Sequence, residues 1–331
     1  MRLRKVCLPN RYMSALLWNR CALRVRRRFR ARPIVAGMII ITTPTGAIGQ
    51  QVLEHVLHSG EPVRVIVRDP SRLPSQVRDR IDIVQGSHND AAVVNKAFAD
   101  ADAVFWLVPP DPRAKTVDAA YVDFTRPACA AFKTQGVKRV VGISALGRGT
   151  PAAAHAGLVT ASLKMDDLIA STGVPYRAVT NPSFMDNLLR QVESIKTQGV
   201  FSLPIAGDLK QPSASTRDIA ATAAKLLLDQ SWSGVGSVPV LGPEDLSYND
   251  MATILSEVLD KPVRFQEIPG EVFKSRLLQR GMSEAMAQAN LDMWTAYGRG
   301  LDTAEPRTPQ KTTPTSFRQW CEEVLKPGVM A

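Results

Sequence analysis

From Met38 onward, short apolar runs alternate with longer amphipathic stretches, and the two periods predict different elements. Met38-Ile-Ile-Ile41 is an uninterrupted apolar run that enters a small turn. The chain then continues with apolar positions at Ile48, Val52, Val56 and Leu57, one face of a helix. Val63–Val67, Ile81–Val84, Ala103–Val108, the stretch Gly136–Ile143 and Val174–Val179 read as further strands. Ala91–Phe98, Ala114–Thr134 with a kink at Pro127, and Ala161–Ser171 read as the helices between them. Regular β-α alternation with wholly apolar strands predicts a parallel sheet covered on both faces. The expected fold is therefore α/β, a doubly wound Rossmann-type sheet.

After about residue 181 the alternation loosens. Helical segments are expected over Asp218–Asp229, over Ser247–Leu259 with Ser247 as N-cap and Asp250 three positions on, and over Phe273–Gln279, Ser283–Thr295 and Thr315–Leu325. They predict a small C-terminal α/β lobe over the carboxyl ends of the strands, where ligands of such sheets bind. The organisation expected is a basic extension over 1–37, a dinucleotide-binding domain over 38–180 and a smaller substrate lobe over 181–331.

The formal charge of +10 changes this picture only at one end. Residues 1–37 hold 11 of the 41 Lys and Arg and no acid, which leaves 30 bases against 31 acids in the rest. The folded part is near neutral, which argues against nucleic-acid binding by it. The extension has three readings: a transit-type segment, an electrostatic arm built on Val25–Arg32, or sequence upstream of a natural start at Met38. Cys7, Cys21, Cys129 and Cys321 are scattered, with no metal-ligand spacing, and no apolar run is long enough for a membrane span. A cytoplasmic protein is expected, acting on a small molecule, as monomer or homodimer.

Candidate chemistry begins in the first turn. A G-x-x-G-x-x-G phosphate loop would place its glycines at Thr43, Gly46 and Gly49, so two of the three are present. Gly46 allows the backbone to approach a pyrophosphate and Gly49 allows helix–strand packing, while Thr43 and Thr45 bring hydroxyls. The second strand ends in Arg68-Asp69, at the place where the adenosine ribose is read. Asp69 before Pro70 is ordinary turn chemistry, which leaves Arg68, with Arg72 near it, for a 2′-phosphate. NADP(H) is favoured over NAD(H).

Thr43–Gly49, Val65–Pro70, Val108–Pro112, Val137–Leu146 and Asn181–Asn187, with Gly242–Ser247 and Pro314–Trp320 later, resemble the NmrA-like atypical short-chain dehydrogenase/reductases from Met38 to about Leu325. That family includes NAD(P)H-dependent reductases of quinones, azo compounds and triphenylmethane dyes, and redox-sensing regulators that bind a dinucleotide and a protein partner. The resemblance implies pyrophosphate at Thr45, Gly46, Ala47 and Ile48, the 2′-phosphate at Arg68, and adenine near Ser87 and His88. It implies that Leu107, Val108 and Pro109 pass under the cofactor and that Pro182 and Phe184 lie by the nicotinamide. Ser144 stands where catalytic members keep a serine.

The departure from the family is the missing Tyr-x-x-x-Lys pair, in which the lysine lowers the tyrosine's pKa for proton exchange. None of Tyr12, Tyr121, Tyr176, Tyr248 and Tyr297 has a lysine four residues later. Lys164 lies in the right helix but two residues from the family's slot at Ser162, and His155 is a second candidate proton donor. Phe184, Met185, Leu188 and Trp294 would line an apolar mouth for a flat acceptor. The function expected is hydride transfer from NADPH to a small conjugated or aromatic acceptor, with a non-catalytic dinucleotide sensor as the alternative. No metal is expected.

Overall fold

The apolar run that opens the alternating region becomes the middle of the sheet. In the computed structural model, which describes residues 37–331, the first half runs β1 (Met38–Thr42), α1 (Ala47–Ser59), β2 (Val63–Val67), α2 (Ser75–Arg78), β3 (Asp82–Gln85), α3 (Ala91–Phe98), β4 (Ala101–Trp106), α4 (Phe124–Thr134), β5 (Arg139–Ala145), α5 (Leu158–Ala170) and β6 (Tyr176–Asn181). It continues through β7 (Ser183–Phe184), α6 (Val192–Gln198), β8 (Val200–Leu203), β9 (Gln211–Ala214), α7 (Thr216–Leu228) and β10 (Val235–Pro239). The last part holds β11 (Asp245–Leu246), α8 (Tyr248–Leu259), β12 (Arg264–Glu267), α9 (Gly270–Gln279) and α10 (Glu284–Gly298). The readings of the basic extension fall on residues outside those described.

Seven strands form one parallel sheet in the order β10-β6-β5-β4-β1-β2-β3. Strand order reverses between β1 and β4, which creates the crevice where doubly wound sheets bind ligands. Alternate positions of β1 serve the two faces. Ile39 and Ile41 join the layer under α1 and α7, and Ile40 joins the layer under α3, α4 and α5. Both layers exclude water, so the strands can be apolar throughout.

The division at residue 180 is one of sequence order and not of space. The chain returns after it to lay α7 beside α1 and to add β10 to the sheet edge, in register with β6 from Val235↔Tyr176 to Pro239↔Thr180. A third apolar cluster lies in the remaining segments, where Phe201, Leu255, Trp294, Phe317 and Trp320 are buried together. Two small sheets, β11-β9-β7 and β12-β8, frame it. The Ser247 cap is a full capping box: its hydroxyl accepts from the Asp250 N–H while the Asp250 carboxylate accepts from the Ser247 N–H.

The helix expected to kink at Pro127 handles the proline differently. A π turn over Ala119–Asp123 precedes α4, so the distortion is taken up one turn earlier. Among the described residues, no helix is long and apolar enough to cross a membrane.

Candidate active site

The turn after β1 is built around a threonine in a glycine's conformation. Thr43 has φ of 50°, the left-handed region, and its carbonyl accepts from the Gly46 N–H at 3.0 Å. Gly46 caps α1 in an extended conformation without a side-chain hydrogen bond, and the first turn carries no acid. The leading amides of α1 therefore stay open toward an anion at the positive end of the helix dipole. Gly49 lies against this turn, since a Cβ there would overlap the Thr43 carbonyl oxygen.

One further observation tests whether a dinucleotide fits. The Thr43 hydroxyl oxygen is buried and has no hydrogen-bond partner. A buried hydroxyl is normally satisfied, so this one is available to a phosphate or ribose oxygen. The residues present suit a dinucleotide: Thr43, Thr45, Gly46, Ala47, Ile48 and Gly49 would hold its pyrophosphate. At the tip of β2, the Asp69 carboxylate accepts from Ser71 Oγ at 2.6 Å and Ser71 N at 3.0 Å, which holds it below the ordinary carboxylate range. Asp69 is thus a turn residue, and the neighbouring exposed Arg68 is the cation left at the strand tip.

The segment after β4 is fixed from both sides. Thr42 Oγ1 donates to the Phe105 carbonyl at 3.0 Å and accepts from the Leu107 N–H at 3.1 Å. The Leu107 carbonyl in turn accepts from His88 Nε2 at 3.0 Å. His88, expected near adenine, is 7% exposed and packs edge-on to Trp106 and Phe124. Its role in the structure is to brace Leu107, ahead of buried Val108 and exposed Pro109, while Ser87 remains half-exposed beside it. Sequence could not show this, because the partner is a backbone carbonyl 19 residues away, just past β4.

Burial lowers His88 to a pKa of about 4, and the Arg68 charge lowers it too, against the raising effect of the Leu107 carbonyl. The unfolded chain then binds a proton near pH 6.5 that the folded chain refuses, so stability falls as pH drops from about 6.5 to 4. His88→Gln, which keeps an N–H donor, is expected to lose up to roughly 3 kcal/mol less across that window. Urea midpoints at pH 7 and 4.5 measure the difference.

The three catalytic candidates do not converge. Ser144 is buried and donates to Asp166 Oδ2 at 2.5 Å, so its proton is committed. Lys164 is a surface cation whose Nζ meets both Asp118 carboxylate oxygens at 3.0–3.1 Å. His155 is exposed at the end of the Pro151–His155 turn. Lys164 and His155 border an open cleft of about 570 Å³ with Asp118, Thr160 and Asp292. Ser162, the family's lysine slot, is instead buried.

Two buried carboxyls were missed by sequence reasoning. Asp166 also accepts from Tyr176 OH at 2.6 Å, and burial raises it to about 6. Asp302 is 2% exposed and burial pushes it up to about 8; the Ser183 N–H faces it and its Oδ1 has no partner. Phe184, Met185, Leu188 and Trp294 do line one cavity, together with Ser183 and Tyr248. Pro182, buried, and Phe184, half-buried, lead from the end of β6 into it. Among the described residues no group of three or more His, Cys, Asp or Glu is gathered for a metal.

This fold, a doubly wound parallel sheet with an open helix N-terminus where strand order reverses, is that of an NAD(P)-binding reductase-type domain. The chain belongs to the NmrA-like family, whose profile matches residues 36–322. It is similar to the (4-alkanoyl-5-oxo-2,5-dihydrofuran-3-yl)methyl phosphate reductase of Streptomyces griseus, 30% identical across 86% of this chain and 97% of that protein. The NAD(P)H azoreductase of Xenophilus azovorans is 27% identical across 78% of this chain and 86% of its own length. In fold, the triphenylmethane reductase of Citrobacter sp. complexed with NADP(H) superposes with a TM-score of 0.68 at 21% identity, over 86% of this chain and 98% of that one.

Proposed function

We propose that this chain is an NAD(P)H-dependent reductase that delivers hydride to a small conjugated acceptor, with NADP(H) preferred. The observation that carries the reading is the uncapped N-terminus of α1, with the orphaned Thr43 hydroxyl beside it, at the point where strand order reverses. Family membership supports the activity. The Streptomyces relative is named for reduction of an unsaturated lactone, and the Xenophilus relative for reduction of azo compounds. Both are conjugated acceptors.

When bound, the reduced nicotinamide supplies the hydride. The protein's own work is placement. The open amides of α1 hold phosphate, the Thr42–Leu107–His88 chain of hydrogen bonds fixes the segment after β4, and the apolar lobe excludes water. Conjugated acceptors spread the incoming charge, so contact and orientation do much of the catalysis without the Tyr-Lys pair.

Arg68→Ala is expected to weaken NADPH at least tenfold and NADH by less than twofold, because only NADPH offers a 2′-phosphate to the guanidinium. Equal losses, read by fluorescence titration, would remove the 2′-phosphate assignment. Reductase activity itself is tested by loss of nicotinamide absorbance with a quinone, an azo dye, a cationic triphenylmethane dye and an unsaturated lactone. Tight NADPH binding with no oxidation by any acceptor would favour a dinucleotide sensor instead.

A further inference from the structure

The segment that leaves the sheet after β6 is tied to the first turn of α1 by a chain of hydrogen bonds. β7 pairs with β9 in register, Ser183↔Ser213 and Phe184↔Ala214. Two residues beyond each strand, Asp186 faces Thr216, the first residue of α7. The Asp186 carboxylate accepts from the Thr216 N–H at 3.0 Å through Oδ2 and from the Thr216 hydroxyl at 2.8 Å through Oδ1. That hydroxyl accepts in turn from Gln51 Nε2 at 3.2 Å. Gln51 Nε2 also donates to the carbonyl of Ala47, the first residue of α1, at 2.7 Å. From Gln51 onward each donor points toward Asp186, the polarity that lets successive hydrogen bonds strengthen one another.

Capping of α7 does not require the whole chain. The Ser215 hydroxyl accepts from the Asp218 N–H at 3.2 Å, and Asp186 Oδ2 satisfies the Thr216 N–H. The buried Thr216 hydroxyl adds nothing to either contact; it is the group that reaches α1. What the clasp joins are two ends of the candidate site. β1, which feeds the α1 turn, and β6, which feeds the Ser183–Asp186 segment, lie three strand spacings apart, about 14 Å. Phe184 on that segment packs in the same apolar layer as Leu107, just past β4, and Ile143 of β5. With phosphates at α1 and adenosine toward β2, the other half of a dinucleotide has the ends of β4, β5 and β6 to lie on.

We propose that Asp186 is a positioning residue for the nicotinamide half of the cofactor. Through Thr216 and Gln51 it holds the Ser183–Asp186 segment at a fixed reach from the first turn of α1, so that both halves of one dinucleotide are accommodated at once. This rests on the dinucleotide reading above and adds the device that sets the length of the site. Asp186 acts through Thr216 and Gln51, and none of the three is required to touch the ligand. A ligand that occupies only the adenosine and phosphate end does not sense the clasp. One that spans both ends does, because orientation fixed before binding is orientation the ligand need not impose.

The test titrates the full chain with NADP⁺ and with adenosine 2′,5′-bisphosphate, which lacks the nicotinamide half. Thr216→Val keeps the backbone N–H that Asp186 caps and removes only the hydroxyl link to α1. It is expected to bind NADP⁺ about fivefold weaker and the bisphosphate within about twofold of native. Asp186→Ala is expected to lower the NADP⁺-to-bisphosphate affinity ratio about tenfold, and Thr216→Ser, which keeps the hydroxyl, to retain the native ratio. A merely structural role would weaken both ligands together. A ratio within about twofold of native in both Thr216→Val and Asp186→Ala overturns the proposal, whatever either change does to the urea midpoint. A native protein that binds neither ligand overturns the dinucleotide reading and the clasp with it. Native binding with unmoved ratios overturns the clasp alone.

Discussion

Replacing Gly49 with alanine is expected to cut NADPH affinity by at least about 100-fold and to destabilise the fold by about 1–3 kcal/mol. The new methyl group would overlap the Thr43 carbonyl oxygen, lie 2.8 Å from the Thr43 carbonyl carbon and 3.1 Å from the Thr42 oxygen. All three atoms are backbone, at the end of β1 and in the turn, so no side chain can rotate to make room. Either α1 withdraws from β1 or the turn opens. Both outcomes move the Thr42 hydroxyl that carries Leu107, and both spoil the row of amides facing the pyrophosphate.

Gly46→Ala separates these consequences. Gly46 has φ of −91°, which alanine adopts freely, and the nearest atom to its added Cβ is the Thr43 oxygen at an ordinary 3.4 Å. The fold should tolerate it within about 0.5 kcal/mol, while the methyl group stands where a phosphate must approach. Urea midpoints and NADPH titrations on the two variants form the measurement. If Gly49→Ala keeps native stability, the close packing of helix against turn is not what the glycine serves.

The alternation that predicts the sheet was readable because parallel strands buried on both faces leave uninterrupted apolar runs. The strand of the seven-stranded sheet that was missed, Val235–Pro239, is an edge strand whose residues are half-buried or exposed, so no such run marks it. At the site, the close approach of Gly49 to the turn and the place of Arg68 at the tip of β2 were legible because each is local in sequence. The fate of Ser144 was not, since its partner Asp166 comes from the next helix and Tyr176 from the next strand. One signal was present: Gly142 in mid-strand leaves the space that the Tyr176 hydroxyl crosses to reach Asp166. Asp302 in Gly300-Leu-Asp-Thr303 reads as a polar loop residue, and only the packed structure shows that it is buried.

Asp166→Ala is expected to be the most destabilising single change at this site, costing about 3–5 kcal/mol. The carboxylate accepts from two buried hydroxyls at once, and removing it strands both Ser144 and Tyr176 in a dry layer. Arg148 adds little, because its guanidinium lies 3.6 Å from Asp166 and is half-exposed, where water screens it. Asp166→Asn keeps one acceptor oxygen and should cost about 1–2 kcal/mol. The two variants also differ from the native protein in their pH dependence. Burial raises Asp166 to about 6, so the folded chain holds a proton that the unfolded chain releases near pH 4. Native stability therefore falls as pH rises from about 4 to 6 on account of this group, and neither variant has that slope. His88 acts with the opposite sign over an overlapping window, so the comparison is made as a difference between variant and native urea midpoints at each pH. A cost below about 0.5 kcal/mol for Asp166→Ala would show that the Ser144–Asp166–Tyr176 cluster does not hold β5, α5 and β6 together, and would free Ser144 for chemistry at the nicotinamide.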